Sequence, residues 1–389
     1  MSDWQQILKD QSIPTLQKLA EKFGHDAIDV EALQPAFDNF QMRITPAALE
    51  QIKEVGDPMW NQYIPTVEEL HVVDGVIDSL DEDGDSPVPN ITHRYPDRAL
   101  FLVSPVCASY CRFCTRRRKV GDPEKIPLNQ YDSAFQYLRE HTEIRDVIMS
   151  GGDPMMLSDR RLEYLFQQLR AIPHIEIIRI GSRITSHLPE RITPEFCEMV
   201  QKYHPIFMNT HFNHPSELTP ASVAALDRLS KAGVSLGCQT VLLKGVNDDA
   251  KVMMKLMHEL LKARVRPYYI FMADQVAGGE HFRTTVQKGL EIMQALRGWT
   301  SGLAVPQFVI DSPGGGGKVP LLPEYVESIT DDEVIFRNYE GKRFAYKQPH
   351  TTPAAPVELE PAAEVGVVPI GRKKSATPRR TKRRRAAGE

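Results

Sequence analysis

The run Val-Cys-Ala-Ser-Tyr-Cys-Arg-Phe-Cys-Thr-Arg-Arg-Arg, residues 106–118, contains the most informative spacing in the chain. It places Cys107, Cys111 and Cys114 in the pattern C-x3-C-x2-C. A [4Fe-4S] cube normally takes four thiolates, so three closely spaced cysteines leave one iron open to a small molecule. The alternatives are a zinc knuckle or a closed structural cluster, but zinc sites typically come as two Cys or Cys/His pairs, and no second pair exists. We therefore predict an open, reactive iron-sulfur cluster.

The remaining cysteines and the composition describe an ordinary water-soluble protein. Cys197 and Cys238 stand alone in apolar segments, where a free cysteine usually acts as a small hydrophobic residue of the core. The 389 residues, 41% hydrophobic and 25% charged, suffice for one barrel-sized domain with extensions. No apolar stretch approaches the ~20 residues of a membrane span, and the N-terminus lacks the pattern of a signal peptide. These features predict a cytoplasmic protein without membrane contact.

The charge is segregated along the chain. The formal net charge is -4, yet residues 372–389 are strongly basic, so the rest of the chain is acidic. Residues 348–371, rich in Pro, Ala, Val and Glu, predict a disordered linker before this tail. The tail has no aromatic residues for stacking on bases. It therefore predicts at most non-specific contact with polyanions.

The middle of the chain alternates strand-like and helical segments, which predicts βα units and a parallel sheet. In a β/α barrel, whole or partial, reactive groups collect at the carboxyl ends of the strands. The unusual residues of this chain follow its strands in that way. They are the three cysteines, Gly151-Gly152-Asp153, Gly181-Ser182-Arg183, His211, Gln239, Asp274, and Asp311 with its glycine run.

Residues 1–90 have a different character. They contain helical segments, one of them predicted over residues 46–55, and an acidic stretch at residues 78–85. We interpret this region as a helical lid or packing extension without a catalytic signal of its own.

The glycine run Asp311-Ser-Pro-Gly-Gly-Gly-Gly-Lys318 directly follows a predicted strand. Gly314, Gly315, Gly316 and Gly317 allow close backbone approach and offer clustered N–H groups to an anion. The run is not a Walker phosphate loop, because Val319 follows the lysine. A lysine beside a phosphate cradle fits a Schiff base with pyridoxal phosphate (PLP). The alternative is a flexible glycine turn.

Taken together, the motifs of residues 89–320 resemble the lysine 2,3-aminomutase family. Members of that family are radical S-adenosylmethionine (SAM) enzymes with a partial barrel, a [4Fe-4S] cluster and PLP. The resemblance implies an α/β fold in which a partial (β/α)6-type radical SAM barrel with the PLP site spans residues 91–325. The helical extension would be residues 1–90, a C-terminal extension residues 326–347, and the disordered linker and basic tail residues 348–389. The motifs are Thr92-His-Arg94-Tyr95-Pro-Asp-Arg98, the cysteine run, Ser150-Gly151-Gly152-Asp153-Pro154, Ile178-Arg-Ile-Gly-Ser-Arg183, Asn209-Thr-His211-Phe-Asn-His214 and the glycine run.

The resemblance also implies a set of ligands. The cysteines would hold the cluster, and SAM would chelate the open iron. Lys318 would carry PLP, with Arg94, Tyr95 and the glycine run nearby. A flavodoxin-type or ferredoxin-type donor would supply electrons, and a homo-oligomer is expected. The SAM contacts would be Gly151, Gly152, Asp153, His211 and Gln239.

For the substrate, the resemblance implies that Arg116 binds the α-carboxylate and that Asp274 and Asp311 receive the distant ammonium of L-lysine. A guanidinium suits a carboxylate, and two carboxylates in a closed site need a positive charge opposite them. The alternative interpretation of each residue taken alone is structural: Asp274 would cap a loop and Asp311 would form a turn. The expected reaction interconverts L-lysine and β-lysine, although an arginine 2,3-aminomutase satisfies the same residues.

One departure from the family pattern concerns zinc. Clostridial-type members bind zinc through a cysteine after Gly-Val-Asn-Asp and a C-terminal cysteine cluster. Here Asp249 follows Asp248 and the C-terminal region has no cysteine, so no zinc is predicted. Two other functions stay open at this stage: a radical SAM enzyme that modifies RNA or the ribosome through the basic tail, and a non-catalytic binding module that keeps its cluster for stability.

Overall fold

A computed structural model describes residues 3–11 and 15–349 of the chain. Its centre is a nine-stranded sheet in which every strand pairs with its neighbours in sequence order. The seven strands β2 to β8 are parallel, and β1 and β9 join the two edges in antiparallel pairs. The strands are β1 Ile91–Tyr95, β2 Arg98–Ser104, β3 Asp146–Gly151, β4 Ile177–Ser182, β5 Ile206–His211, β6 Ser235–Leu242, β7 Arg266–Met272, β8 Gln307–Ser312 and β9 Gly317–Leu321.

Helices connect the parallel strands, so the predicted βα alternation is confirmed. Side-chain caps start several of these helices: Ser158, Thr219 and Thr285 each accept a hydrogen bond from an amide of the first turn. A short helix, α8, follows β4. The helices in this part of the chain are α6 Tyr131–Glu140, α7 Asp159–Arg170, α8 Ile184–His187, α9 Pro194–Gln201, α10 Pro220–Lys231, α11 Ala250–Lys262 and α12 Val286–Leu296.

Successive residues of a strand point alternately to the hydrophobic core and to the interior of the barrel. In β5, Ile206 and Met208 are buried among the hydrophobic residues of the core, whereas Asn209 and His211 line a central cavity. Successive side chains of a strand point to opposite faces, which explains this division. Cys197 and Cys238 belong to the same core and are 8% and 1% exposed, so the prediction for both is confirmed.

The sheet curves into a nearly closed barrel. Its edge strands β1 and β9 approach each other, and the Lys318 amide of β9 donates a hydrogen bond of 2.9 Å to the Tyr95 hydroxyl at the end of β1. The hairpin of β8 and β9 pairs Asp311 with Lys318. The predicted partial (β/α)6-type barrel is therefore confirmed, with six βα units followed by a seventh parallel strand.

The helices between Leu16 and Tyr63 form a small core of their own around Leu19 and Trp60. The first helix is different, because its Trp4 and Leu8 pack in the core of the barrel. The helix predicted over residues 46–55 is wrong beyond Leu49. There the Asp57 carboxylate accepts hydrogen bonds from the amides of Lys53 and Glu54, which favours a turn over further helix. The helices are α1 Asp3–Gln11, α2 Leu16–Phe23, α3 Val30–Asn39, α4 Pro46–Leu49 and α5 Pro58–Tyr63.

The C-terminal part of the described chain is a separate antiparallel sheet of three strands: β10 Val326–Ile329, β11 Glu333–Arg337 and β12 Arg343–Lys347. The predicted linker and basic tail lie outside the described residues from 350 onward, and the predicted domain limits stay predictions. None of the described helices has the length and apolar character needed to cross a bilayer.

Gly289 of α12 offers a test of how tightly the helices pack on the sheet. A Cβ added there would lie 2.2 Å from Cζ of Phe308, a fully buried ring of β8. Alanine normally stabilises a helix relative to glycine by about 1 kcal/mol. We expect Gly289→Ala to lower the free energy of unfolding instead, by about 1–3 kcal/mol, because overpacking outweighs that gain.

Urea unfolding of the anaerobically prepared protein measures this change. Gly302→Ala is the matched control, since nothing lies within 4 Å of its added Cβ. An unchanged or higher stability of Gly289→Ala would contradict the packing described here.

Candidate active site

One cavity of about 600 Å³ opens at the carboxyl ends of the strands and extends into the barrel. It brings together residues that are up to 238 positions apart in the chain, from Leu80 to Lys318. The four glycines Gly314–Gly317 are not part of its wall. Of the site residues predicted from the sequence, those that line the cavity are Arg94, Tyr95, Cys107, Cys111, Cys114, Arg116, Gly151, Gly152, Asp153, His211, Gln239, Asp274, Asp311 and Lys318.

The cysteine loop is fastened to the end of β3. The amides of Gly152 and Asp153 donate to the carbonyls of Ser104 and Val106, at 2.6 and 2.8 Å. A Cβ on Gly152 would lie 2.5 Å from the Val106 carbonyl oxygen, so the backbones can approach only because this residue is glycine. Glycine is therefore required here for packing of the cysteine loop against β3, a requirement that was not predicted from the sequence.

The three cysteines are half-buried, in surroundings that suit a cationic cluster. Burial raises the pKa of Cys107 well above its ordinary value and that of Cys114 to about 11. Free thiolates are therefore disfavoured here until positive charge, such as iron, lies beside them. Among the described residues no three His, Cys, Asp or Glu side chains converge on one point. A cube does not need such convergence, because each thiolate binds its own iron.

Asp153 ties the ends of β3 and β4 together. Its Oδ1 accepts hydrogen bonds from the Met155 amide and the Ser182 hydroxyl, at 2.9 and 2.8 Å, and its Oδ2 accepts one from the Arg183 amide at 3.1 Å. Burial raises the pKa of Asp153 despite these donors. The side chain is 5% exposed and holds the loops that border the cavity beside the cysteines.

A buried polar network supports the same end of the cavity. Arg183 donates to Cys111 Sγ at 2.9 Å and to Glu217 Oε2 at 2.6 Å. His211 contacts Asn213 Oδ1 at 3.0 Å through Nε2. Burial and then the Arg183 charge lower the pKa of His211 well below its ordinary value, so the imidazole is neutral. Glu217 is not among the site residues predicted from the sequence. Its only local signal is its position three residues after His214, where it closes a capping box.

Lys318 lies opposite two carboxylates. Its Nζ lies 2.9 and 3.2 Å from the two carboxylate oxygens of Asp311. Asp274 Oδ2 accepts a hydrogen bond of 2.9 Å from the Thr115 hydroxyl. Burial, and then the nearby Asp311, raise the pKa of Asp274 to about 6. The structure thus places Asp274, Asp311 and Lys318 together, with the lysine as the cation that Asp311 binds.

The glycine run forms the tight turn between β8 and β9. Gly314, Gly315 and Gly317 have φ angles of 69°, 89° and 81°, which glycine adopts without strain. The Gly314 amide donates to the Ser79 carbonyl. A Cβ on Gly315 would lie 3.5 Å from Arg94 Nη2, so the turn packs directly over Arg94.

Residues 78–85, here named the acidic strap, contribute Leu80 and Glu82 to the wall of the cavity. Glu82 pairs with Arg116 at 2.7 Å, and Asp85 pairs with Arg94 at 2.6 Å. Asp78 and Asp83 pair with Arg118, and Asp83 also pairs with Lys119. These contacts were not predicted from the sequence. The signal available was its charge, opposite to that of the basic run 116–119.

Comparisons with known proteins agree with this geometry. Residues 101–257 match the Radical SAM superfamily, and residues 293–375 match a profile described as lysine-2,3-aminomutase. The chain is 48% identical to the L-lysine 2,3-aminomutase of Fusobacterium nucleatum over 90% of its length and 83% of that protein.

Two further relatives define the range of the similarity. The L-lysine 2,3-aminomutase of Clostridium subterminale is 48% identical over 90% of this chain and 84% of its own length. The glutamate 2,3-aminomutase of Clostridioides difficile is 43% identical over 87% of this chain and 80% of its own length. The resemblance inferred from the motifs is confirmed: this chain belongs to the lysine 2,3-aminomutase family within the radical SAM superfamily.

Proposed function

We propose that this chain is an L-lysine 2,3-aminomutase, an isomerase that moves the amino group of L-lysine between its α and β carbons. The observation that carries the proposal is the common cavity, where an amine suited to PLP and two carboxylates suited to a cationic substrate face the cysteine loop. The 48% identity to proteins named for this activity supports it.

The donor set of the cavity fits three bound groups. Cys107, Cys111 and Cys114 would hold a [4Fe-4S] cluster. SAM would lie beside Gly151, Gly152, Asp153, His211 and Gln239, and PLP would be held by Lys318 with Arg94 and Tyr95 at its side. When bound, the reduced cluster with SAM supplies a carbon radical able to remove a hydrogen atom, and PLP supplies a conjugated ring that stabilises a neighbouring radical.

The two ends of the substrate have separate partners in this proposal. Arg116 binds the α-carboxylate, since a guanidinium matches a carboxylate with two parallel hydrogen bonds. Asp311 binds the Lys318 ammonium when that amine is free. With PLP attached to Lys318, Asp311 would be released from that ion pair and would join Asp274 as a second carboxylate for the distant ammonium of lysine.

This charge arrangement favours L-lysine over L-glutamate, the substrate named for one relative. A second carboxylate on the substrate would lie against Asp274 and Asp311, and like charges in a buried site are strongly unfavourable. Arginine also carries a distal cation and is the second candidate. A flavodoxin-type or ferredoxin-type protein would supply the electron. Anaerobic incubation of the reconstituted protein with lysine, arginine and glutamate, followed by separation of the β-amino acids, identifies the substrate.

Lys318→Ala tests the proposed covalent anchor of PLP. We expect borohydride treatment of the PLP-loaded wild type to attach the cofactor to the Lys318 peptide, detected by mass spectrometry. The variant should carry no label and show no turnover, because Lys318 is the one lysine among the described residues that line the cavity. Lys288→Ala, on the exposed face of α12, is the control and should behave as wild type. Labelling elsewhere with full activity would contradict the assignment.

Gly152→Ala tests the attachment of the cysteine loop. A Cβ at this position would press against the Val106 carbonyl at 2.5 Å, so we expect the loop to move and reconstituted protein to hold less than half the iron of wild type. In Gly181→Ala the nearest atom would be 3.8 Å away, which is ordinary contact. Iron analysis and the visible spectrum measure the effect, and equal iron in the two variants would contradict the packing argument.

The pH dependence of kcat/KM tests Asp274. Its pKa of about 6 means that the carboxyl group is protonated, and thus uncharged, below that pH. We expect kcat/KM for L-lysine to fall about tenfold per pH unit below pH 6, because kcat/KM reports groups of the free enzyme. Asp274→Asn should have a lower kcat/KM and lack this acidic limb. Iron content measured at each pH distinguishes the titration of Asp274 from loss of the cluster. If kcat/KM of Asp274→Asn fell below pH 6 as in the wild type, Asp274 would be excluded as the titrating group.

A further inference from the structure

Glu82 of the acidic strap is the most deeply buried carboxylate that contacts a proposed substrate-binding residue. Its side chain is 6% exposed, and that of Arg116 is 26% exposed. A single oxygen, Oε1, accepts a hydrogen bond from Nε of Arg116 at 2.9 Å and forms an ion pair with Nη2 at 2.7 Å. Glu82 thus occupies one edge of the guanidinium group.

The other end of the guanidinium points toward the cavity. Arg116 Nη1 lies 3.4 Å from the hydroxyl of Ser150, a residue that lines the cavity at the end of β3. The planar guanidinium presents five N–H donors in a fixed fork. With the Nε edge bound to Glu82, the donors of Nη1 and the outer donor of Nη2 remain for an incoming carboxylate.

The strap holds Glu82 in a fixed position. The Glu82 amide donates to Asp78 Oδ1 at 3.1 Å, and its carbonyl accepts from the Ser86 hydroxyl at 2.6 Å. Burial alone would raise the pKa of Glu82, but Arg116, Lys119 and Arg118 together keep it below its ordinary value. The Glu82 carboxylate therefore stays charged although it is buried, because it is paired with a guanidinium.

We propose that Glu82 is a positioning residue that fixes the plane of Arg116 so that its free edge faces the α-carboxylate of the substrate. The inference rests on the proposed function, in which Arg116 binds that carboxylate. It predicts that Glu82 contributes to the affinity for substrate through Arg116 and has little influence on the chemical step.

The opposite role would make Glu82 a stand-in for the substrate carboxylate that must be displaced. The geometry argues against that role, because Glu82 uses the Nε edge and one oxygen, and leaves the end of the fork free. The two roles predict opposite results: loss of Glu82 weakens lysine binding if it positions Arg116 and strengthens it if it competes.

The test compares L-lysine with L-lysinamide, which lacks the carboxylate but keeps both amines. Dissociation constants are measured by calorimetry on the anaerobically reconstituted protein, and KM and kcat on the same samples. For Glu82→Gln we expect lysine to bind about tenfold more weakly, since one charge-assisted contact behind the guanidinium is lost. Binding of lysinamide and kcat at saturating lysine should stay within about twofold of wild type.

Asp83→Asn is the matched control. Asp83 is the neighbouring carboxylate of the strap, but it pairs with Arg118 and Lys119 and its side chain is 63% exposed. It should leave both affinities unchanged. Glu82→Asp keeps the charge and should lose less lysine affinity than Glu82→Gln. If thermal unfolding shows that Glu82→Gln is not folded, the same comparison is made with Glu82→Asp.

The outcomes separate this inference from the proposed function. A wild type that binds lysine and lysinamide equally would overturn both the role of Arg116 and that of Glu82. A wild type that prefers lysine, with Glu82→Gln showing the same preference or tighter lysine binding, would overturn the positioning role alone. Equal weakening of lysine and lysinamide would also overturn it, because it would mark a merely structural effect.

Discussion

The hydrogen bond from the Lys318 amide to the Tyr95 hydroxyl joins the two edges of the sheet, and the arrangement of the cavity depends on that closure. Each edge carries part of the site, with Arg94 and Tyr95 on β1 and Lys318 on β9. Seven parallel strands between them bring their carboxyl ends to one rim. A flatter sheet would keep all the same residues and separate the proposed PLP anchor from its neighbours.

Charge pairing is the second constraint on this cavity. Arg116, Arg94 and Lys318 each have a carboxylate partner, and two of these partners come from the acidic strap. A buried charge without a partner is costly, so the cations of the site need such partners in the absence of ligands. The strap therefore makes a preformed cationic site compatible with a stable fold.

The sequence predicted the fold and many of the polar residues of the cavity wall, because both follow from local patterns. The alternation of strands and helices, with polar residues after each strand, is enough to place Asp153, His211 and Asp274 at one rim. Family membership, predicted from the same motifs, is confirmed. The roles of Glu82 and Glu217 were not predicted, because their partners Arg116 and Arg183 lie 34 residues away in each case. The same limit applies to Gly152, whose close approach to Val106 is visible only in three dimensions.

The order of the strands has a consequence for synthesis of the protein. The edge strand that carries Tyr95 emerges from the ribosome more than 200 residues before the edge strand that carries Lys318. A nascent chain can therefore fold its cysteine loop and first strands while the amine that completes the chamber is still untranslated. The cavity that would have to contain a radical therefore closes only when almost the whole barrel has been synthesised.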